Sequence, residues 1–178
     1  MTTGTTKLTI RQATPADAAA LALVGAASFL ETYAHMIPGG DMVAHCTAKH
    51  SADTYAAWLK DASVTIWIAE TEAKSPIGYL VLSRATLPEA SPHPEDLEVQ
   101  RIYVLSRFHR TGMGYALMNL AVAKVLTKGA NRIVLGVHND NARALAFYQR
   151  NGFAVIGERE FSVGASVFHD SVLARKLR

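Results

Sequence analysis

The sequence contains a single cysteine, Cys46, among 178 residues. One cysteine cannot form an intramolecular disulfide, so the fold must depend on a hydrophobic core, which a chain of this length can bury. The chain also lacks an apolar run of the roughly 20 residues needed to cross a bilayer. It has no charged start followed by an apolar signal core. The expectation is therefore a cytoplasmic protein that does not associate with membranes.

Several motifs of known enzyme classes are also missing. The seven histidines form no HExxH pattern and no paired Cys/His spacing, so no metal site is expected. Neither a GxSxG nucleophile turn nor a Walker-type phosphate loop occurs. The formal net charge of +3 comes from basic residues that are spread along the chain rather than gathered in a tail. Nucleic-acid binding is therefore not expected either.

The order of strand and helix patterns predicts an α/β protein. The length suits one domain, residues 1–178, with residues 1–6 disordered. A strand near residues 8–11 precedes a helix that Thr14 and Pro15 open. Residues 38–40, Pro-Gly-Gly, are predicted to end that helix. Its buried stripe is predicted from apolar residues at steps of three and four: Leu23, Ala27, Leu30, Ala34 and Ile37.

The rest of the chain continues the alternation. The predicted elements are, in order, a helical stretch over 41–60 that is broken near 49–51, a hairpin of strands 65–69 and 77–83, a proline-containing loop over 87–96, a strand over 97–105, a helix after Gly114, a strand over 133–137, a helix over 141–150, and closing strands over 154–160 and 167–177. The strands at 97–105 and 133–137 should be parallel if the helix between them is a crossover.

The most informative segment is a strand that enters a glycine-rich turn. Residues 97–104 read LEVQRIYV, and residues 109–114 read HRTGMG at the start of the next helix. A glycine turn between strand and helix offers backbone N–H groups to phosphate, because glycine lacks the Cβ atom that would hinder close approach. This segment predicts a site for a phosphorylated cofactor.

A second segment, NARALAFYQRNGF, covers residues 141–153. It places Asn141 at a helix start and Tyr148 seven residues later. One helix can therefore carry both a cofactor contact and a proton donor. Asn141 also suits the helix N-cap position, and the two roles are compatible.

Together these segments resemble the GCN5-related N-acetyltransferase (GNAT) superfamily, whose members move an acetyl group from acetyl-CoA to an amine. The family's pyrophosphate loop, Gln/Arg-x-x-Gly-x-Gly/Ala, is matched by residues 109–114, except that His109 stands where Arg or Gln is usual. The family's second signature is complete in Asn141, Ala144, Phe147, Tyr148, Gly152 and Phe153. The resemblance covers nearly the whole chain. It implies a mixed, mostly antiparallel central sheet that is flanked by helices and has two splayed parallel central strands.

The resemblance also implies an acetyl-CoA site. The backbone of Ile102, Tyr103 and Val104 would pair with the pantetheine arm, and Asn141 would bond near the pantetheine amides. The pyrophosphate would be wrapped by the glycine turn and the residue after it: His109, Arg110, Thr111, Gly112, Met113, Gly114 and Tyr115. Because most of these contacts come from backbone N–H groups, His109 should weaken the site without abolishing it. Arg110 would supply the missing charge.

Two side chains are candidate catalytic residues. Glu98 occupies the position where many family members place the base that deprotonates the amine, and Gln100 on the same predicted strand face would hold a relaying water. Tyr148 falls on the family's general-acid position, and it also lies among the cofactor contacts. A phenol of pKa ~10 can protonate a thiolate whose conjugate acid has a pKa of ~8.5. The alternative for Glu98 is a glutamate on the protein surface, and the alternative for Tyr148 is an aromatic ring that only packs against the sheet.

The acceptor is open at this point. The sequence resembles bacterial polyamine N-acetyltransferases more loosely, through LEVQRIYVL at residues 97–105, Phe29-x-Glu31-Thr32-Tyr33, Phe161 with Gly164, and Asp170-x-x-Leu173-x-Arg175/Lys176-Leu177. A polyamine pocket should be acidic. The candidates for lining one are Glu31, Glu89, Glu95, Asp96 and Glu98. Another small amine, an antibiotic or a protein N-terminus suits the same core, and a CoA-sensing module is the non-catalytic alternative. A homodimer through sheet edges or the terminal strands is a further hypothesis.

Overall fold

The computed structural model describes residues 7–177, and the predicted disorder of residues 1–6 lies outside them. Seven strands form one sheet: β1 (Leu8–Gln12), β2 (Thr65–Thr71), β3 (Pro76–Arg84), β4 (Leu97–Val104), β5 (Arg132–His138), β6 (Ala154–Val163) and β7 (Ser166–Lys176). Their order in the sheet is β1-β2-β3-β4-β5-β7-β6. Of the neighbouring pairs, β4 and β5 run parallel and the others run antiparallel. The predicted mixed α/β fold is therefore confirmed.

Within residues 7–177, five α-helices cover the two faces of the sheet: α1 (Ala18–Tyr33), α2 (Gly39–Lys49), α3 (Ala52–Lys60), α4 (Met113–Thr127) and α5 (Ala142–Arg150). On one face, Leu117 and Met118 of α4 and Tyr148 of α5 pack against β2 to β5 and β7; we call this cluster the α4 core. On the other face, Leu21 of α1 and Tyr55 of α3 pack against β2 and β3; we call this cluster the α1 core. Burial of apolar side chains against both faces holds the two layers of helices on the sheet.

The predicted buried stripe is wrong at Leu23 and Leu30, although its last member, Ile37, is buried. Leu23 is 65% exposed and Leu30 is 50% exposed, whereas Leu21 and Val24 are buried. The helix is so rich in alanine that several stripes are apolar, and periodicity cannot choose among them. Gly25 settles the orientation, because a Cβ atom there would collide with the Tyr55 hydroxyl and the His50 ring.

The segment of residues 38–40 also has a different role from the predicted one. Helix α1 ends at Tyr33, and Pro38 is the residue before the first turn of α2, which begins at Gly39. A proline with φ of −54° suits the start of a helix, because its missing N–H would have no helical partner there. The Pro-Gly-Gly segment therefore begins the second helix instead of ending the first.

The two parallel central strands separate soon after they meet. Strands β4 and β5 pair only at Leu97 with Ile133 and at Glu98 with Val134. Beyond Glu98, β4 continues to pair with β3, and β5 pairs with β7 over its whole length. The backbone groups of β4 that face β5 are therefore left without ladder partners from residue 99 onward. An opening forms in the middle of the sheet.

A β-bulge at Gln100 changes which side chains share a face of β4. Val99 pairs with Leu82 and Arg101 pairs with Val81, so Gln100 has no partner on β3. Before the bulge, Val99 faces the α4 core; after it, Ile102 takes that face. An extra residue in one strand shifts the alternation by one. Arg101 therefore lies on the same side of the sheet as Glu98, although strict alternation would place them on opposite sides.

Candidate active site

A cavity of about 290 Å³ opens where β4 and β5 part. Its walls come from α1, α2, α3, the middle of β4, the end of β5, and strands β6 and β7. Aromatic side chains form much of the lining: Phe29, Tyr33, Trp58, Tyr103, Phe161 and Phe168. The cavity has the size and mixed lining typical of small-molecule sites.

Glu98 lines this cavity and is only 4% exposed, so it is not an ordinary surface glutamate. Its Oε2 accepts hydrogen bonds from the backbone N–H of Thr86 at 2.8 Å and from the Thr86 hydroxyl at 3.1 Å. Thr86 belongs to the loop between β3 and β4, which therefore fixes the carboxylate. No residue within 7–177 bonds Oε1, so one carboxylate oxygen is left for a water or a substrate.

Tyr148 lies on α5 at the other side of the opening, in the α4 core. It is 7% exposed, and its ring packs 5.3 Å from that of Phe147 and 5.8 Å from that of Phe153, between centroids. Burial raises the pKa of this phenol, and the nearby Tyr33 raises it further. The hydroxyl is therefore protonated at neutral pH. The hydroxyl makes no hydrogen bond within the described chain. Its oxygen is not fully enclosed by protein atoms, so a ligand atom can reach it.

Tyr33 is a site residue for which the sequence analysis predicts no chemical role. It projects from the last turn of α1 into the cavity. Burial raises its pKa, while the polar side chains of Tyr103 and Asn141 partly offset that rise. Burial also raises the pKa of Tyr103 well above its usual value. Three protonated phenols from α1, β4 and α5 therefore lie around the opening. Tyr33 appeared in the sequence only as part of a loose motif.

The glycine-rich turn has the geometry of an anion site. Helix α4 begins at Met113, and its first backbone bond runs from the N–H of Ala116 to the carbonyl of Gly112. The N–H groups of residues 112–115 find no backbone acceptor in the described structure. Gly112 has a φ of 85°, and nothing lies within 4 Å of the place where its Cβ would be. Exposed N–H groups at a helix N-terminus attract phosphate, so these residues fit a pyrophosphate.

His109 is tied to the strand that precedes the turn. Its Nε2 lies 2.6 Å from the carbonyl oxygen of Val104. A carbonyl can only accept, so Nε2 carries the proton and donates. The ring thus anchors the turn to the end of β4. Arg110, which is exposed and has a φ of 65°, is the charged side chain left at the turn.

The predicted pantetheine contacts lie along the opening. Ile102, Tyr103 and Val104 pair with β3 through one edge of their backbone, and their other edge faces the opening without a ladder partner. At the start of α5, Asn141 Oδ1 accepts a hydrogen bond from the N–H of Ala144 at 3.1 Å. Asn141 is therefore an N-cap, and its side-chain NH₂ is left for a ligand.

The predicted acidic lining is wrong for four of its five members. Only Glu98 lines the cavity. Glu31 accepts hydrogen bonds from the backbone and hydroxyl of Ser106, and Asp96 forms an ion pair with Arg132. Glu89 and Glu95 are exposed elsewhere. The positions of these carboxylates relative to the cavity depend on tertiary contacts, which local sequence patterns do not predict.

The cavity instead contains more cationic than anionic side chains. Lys49, Arg101 and Arg159 line it, and so do the carboxylates of Glu98 and Asp170. Arg159 and Asp170 form an ion pair at 3.0 Å. Burial lowers the pKa of His50 to about 3, with a further contribution from Arg101. The end of the cavity near α2 and α3 is therefore electropositive.

Two further observations concern other classes of site. In the part of the chain from residue 7 to residue 177, no three His, Cys, Asp or Glu side chains are grouped so that they could hold a metal ion. Over the same residues, no helix combines the length and the apolar character that crossing a membrane requires.

Residues 29–153 match the model of the acetyltransferase (GNAT) family. An uncharacterized N-acetyltransferase of Mycobacterium tuberculosis (strain ATCC 25618 / H37Rv) is 32% identical over 161 residues, which are 90% of this chain and 98% of that protein.

Solved structures show the same fold. The PaiA N-acetyltransferase of Thermoplasma acidophilum, in complex with coenzyme A, superposes with a TM-score of 0.77 at 21% identity, over 96% of this chain and 99% of that one. The yncA protein of Salmonella typhimurium, solved with its cofactor acetyl-CoA, gives a TM-score of 0.72 at 20% identity, over 97% and 95% of the two chains. At these sequence identities, the similarity to the two structures establishes the fold alone.

Proposed function

Because the chain belongs to the acetyltransferase (GNAT) family and is an N-acetyltransferase, we propose that it transfers the acetyl group of acetyl-CoA to a primary amine by direct attack. The observation that carries this proposal is the opening between β4 and β5. Glu98 faces the cavity on one side of the sheet, Tyr148 approaches from the other, and the exposed N–H groups of the turn lie at the end of the same strand.

Acetyl-CoA supplies an activated thioester, and this chain offers backbone and side-chain groups to hold it. The free edge of Ile102 to Val104 would pair with the pantetheine amides. The turn from His109 to Tyr115 would hold the pyrophosphate, and the side-chain NH₂ of Asn141 would bond the arm between them. His109 acts on this site through Val104, because its proton is already donated to that carbonyl.

Glu98 is the proposed base. An alkylammonium has a pKa near ~10 and must lose a proton before it can attack. Glu98 Oε1 is available to accept that proton, directly or through a water. Gln100 Nε2 donates to the Ser83 hydroxyl at 3.1 Å, which leaves its carbonyl oxygen to orient such a water. The amine nitrogen then attacks the thioester carbon and a C–N bond forms. The nitrogen loses its second proton to solvent water as the C–S bond breaks.

Tyr148 is the proposed acid. As the C–S bond breaks, its phenol gives a proton to the sulfur of the leaving thiolate, and the phenolate recovers a proton from solvent. Burial raises the pKa of the phenol. Burial also disfavours the charged thiolate, which makes the sulfur a stronger proton acceptor. The products are an acetamide and CoA with a free thiol.

We propose a small-molecule amine as the acceptor. The narrower prediction of a polyamine stays a prediction, and the cationic side chains of the cavity count against it because they would repel a polycation. An antibiotic or a protein N-terminus is tested in the same experiment.

The test is release of free thiol from acetyl-CoA in the presence of a panel of amines: spermidine, spermine, amino acids, aminoglycosides and peptides. Turnover of one class should fall more than tenfold in Glu98→Gln. The matched control is Glu72→Gln, an exposed residue in the turn between β2 and β3, which should behave as wild type. If CoA binds by calorimetry but no amine of the panel is acetylated, the enzymatic proposal loses to the CoA-sensing alternative.

A further inference from the structure

Arg101 enters the cavity because of the bulge at Gln100. Its side chain extends toward α2 and α3, where Nη1 donates to the carbonyl oxygen of Lys49 at 2.8 Å and to the Tyr55 hydroxyl at 2.9 Å. The guanidinium carbon lies 4.7 Å from the centre of the Trp58 ring, a cation–π distance. One edge of the guanidinium and one of its faces are therefore fixed by the protein.

No acidic side chain of the described residues forms an ion pair with this arginine. The five ion pairs within residues 7–177 involve Arg11, Lys74, Arg132 and Arg159, but not Arg101. Nε and Nη2 donate to no acceptor in the same part of the chain. The three partners of Nη1, which are the Lys49 carbonyl, the Tyr55 hydroxyl and the neutral His50 ring, carry no charge. A guanidinium has five donors in a planar fork, and the fork that Nε and Nη2 form matches the two oxygens of a carboxylate.

The surroundings increase the positive potential instead of cancelling it. Lys49 lines the same end of the cavity. Burial lowers the pKa of His45 and of His50, and Arg101 lowers both further, so both rings are neutral at pH 7 and neither carries a compensating charge. Of the two lining carboxylates, Asp170 is paired with Arg159, and Glu98, which Thr86 orients, forms no ion pair with Arg101.

We propose that Arg101 binds a carboxylate of the acceptor through Nε and Nη2, and that the substrate is therefore an amino carboxylate. This inference rests on the proposed function, because it names the acceptor class of the same site. The aromatic lining from Phe29, Tyr33 and Phe161 would hold the body of such a substrate. Its amine would lie toward Glu98, three residues before Arg101 on the same side of β4. A polyamine would meet an unneutralised cation at this place.

The first arm of the test measures binding without turnover. The probes are 3-phenylpropionate and 3-phenylpropionamide, which differ in the carboxylate and contain no amine, and calorimetry is done with CoA present. The wild type should bind the carboxylate at least tenfold more tightly than the amide, as expected for a charge-assisted bidentate pair. Arg101→Gln should reduce this ratio to within about twofold, and Arg101→Lys should give an intermediate value because it keeps the charge but loses the fork.

The matched control is Arg84→Gln, which removes one positive charge from the exposed end of β3 and should keep the wild-type ratio. A merely structural Arg101 would weaken both probes together, since it would change the cavity and not the recognition of charge. Equal binding of the two probes by wild type would overturn the proposal even if Arg101 variants failed to fold.

The second arm measures acetylation of α-, β- and γ-amino acids against their carboxamides. A carboxylate preference in kcat/KM of ten- to a hundredfold, expressed mainly in KM and lost in Arg101→Gln, is the expected result. Acetylation of spermidine but of no amino carboxylate would overturn the inference and leave the proposed function standing. Arg101-dependent binding of 3-phenylpropionate without acetylation of any amine would support carboxylate binding by Arg101 and overturn the proposed function.

Discussion

Replacing Tyr148 with phenylalanine should separate chemistry from stability. The Tyr148 hydroxyl makes no hydrogen bond within residues 7–177, and a phenylalanine ring would keep the packing against Phe147 and Phe153. No buried partner is left unpaired, so the free energy of unfolding should change by less than about 0.5 kcal/mol. For a chain of this size, that corresponds to a shift in Tm of about 1–2 °C.

The rate should respond very differently. Loss of a general acid lowers kcat by roughly 100- to 10,000-fold, which is about 3–5 kcal/mol in the activation free energy. The assay is thiol release with acetyl-CoA and an identified acceptor both saturating, beside the calorimetric affinity for CoA, which should hold within about threefold. Because burial raises the pKa of this phenol, the wild-type profile of kcat should show no decline from Tyr148 ionisation below about pH 10.

Tyr55→Phe is the matched contrast, because the Tyr55 hydroxyl has hydrogen bonds with His50, Tyr79 and Arg101. That variant should lose about 1–3 kcal/mol of unfolding free energy, since buried partners are left unsatisfied. The role assigned to Tyr148 would be refuted by a loss of kcat below threefold in Tyr148→Phe. A drop in its Tm above about 4 °C would show that the hydroxyl has a structural role that the geometry does not reveal.

Three other perturbations test the energetics of the fold and the turn. Between pH 6.5, the ordinary pKa of histidine, and about 3, the folded-state pKa of His50, the unfolded state binds a proton on His50 that the folded state does not, so the free energy of unfolding should fall with decreasing pH by up to ~1.4 kcal/mol per unit. In urea unfolding, His50→Gln should lose less free energy of unfolding per pH unit in that window, and an unchanged pH dependence would contradict this. Arg132→Met leaves the buried carboxylate of Asp96 unpaired and should cost about 3–5 kcal/mol; in a double-mutant cycle with Asp96→Asn, additive losses would count against the coupling. Gly112→Val forces a branched side chain to a φ of 85° and places it in the anion site, so the calorimetric affinity for CoA should drop at least tenfold, and an unchanged affinity would remove the turn from the site.

Much of the sheet could be predicted from the sequence because its signals are local. The strands β2 to β5 are rich in β-branched and aromatic residues, which favour strands. The turn that ends at Gly114 contains two glycines, which favour a tight turn between strand and helix. The orientation of α1 could not be predicted. It depends on Tyr55 and His50 fitting against Gly25, a contact between segments 25 residues or more apart.

The candidate site divides in the same way. Tyr148 and the turn of residues 109–114 follow from short motifs, and their assigned roles stay predictions until they are tested. Arg101 was missed because alternation places it opposite Glu98, and a bulge leaves little trace in the residues around it. The predictions of one domain, a cytoplasmic location and a homodimer likewise await measurement.

The pairing of β4 with β5 has a mechanical consequence. A ladder of backbone hydrogen bonds resists separation of its strands, but here it is limited to two residue pairs. Backbone pairing therefore joins the two halves of the sheet, β1 to β4 and β5 to β7, only near Leu97 and Glu98 in the described part of the chain. Beyond that point the two halves are held together by packing in the α4 core, which contains Val99 of β4 and Val137 of β5. Core substitutions far from any reacting atom should thus change the width of the opening, and a molecule that bridges the free edges should raise the unfolding free energy of the whole chain.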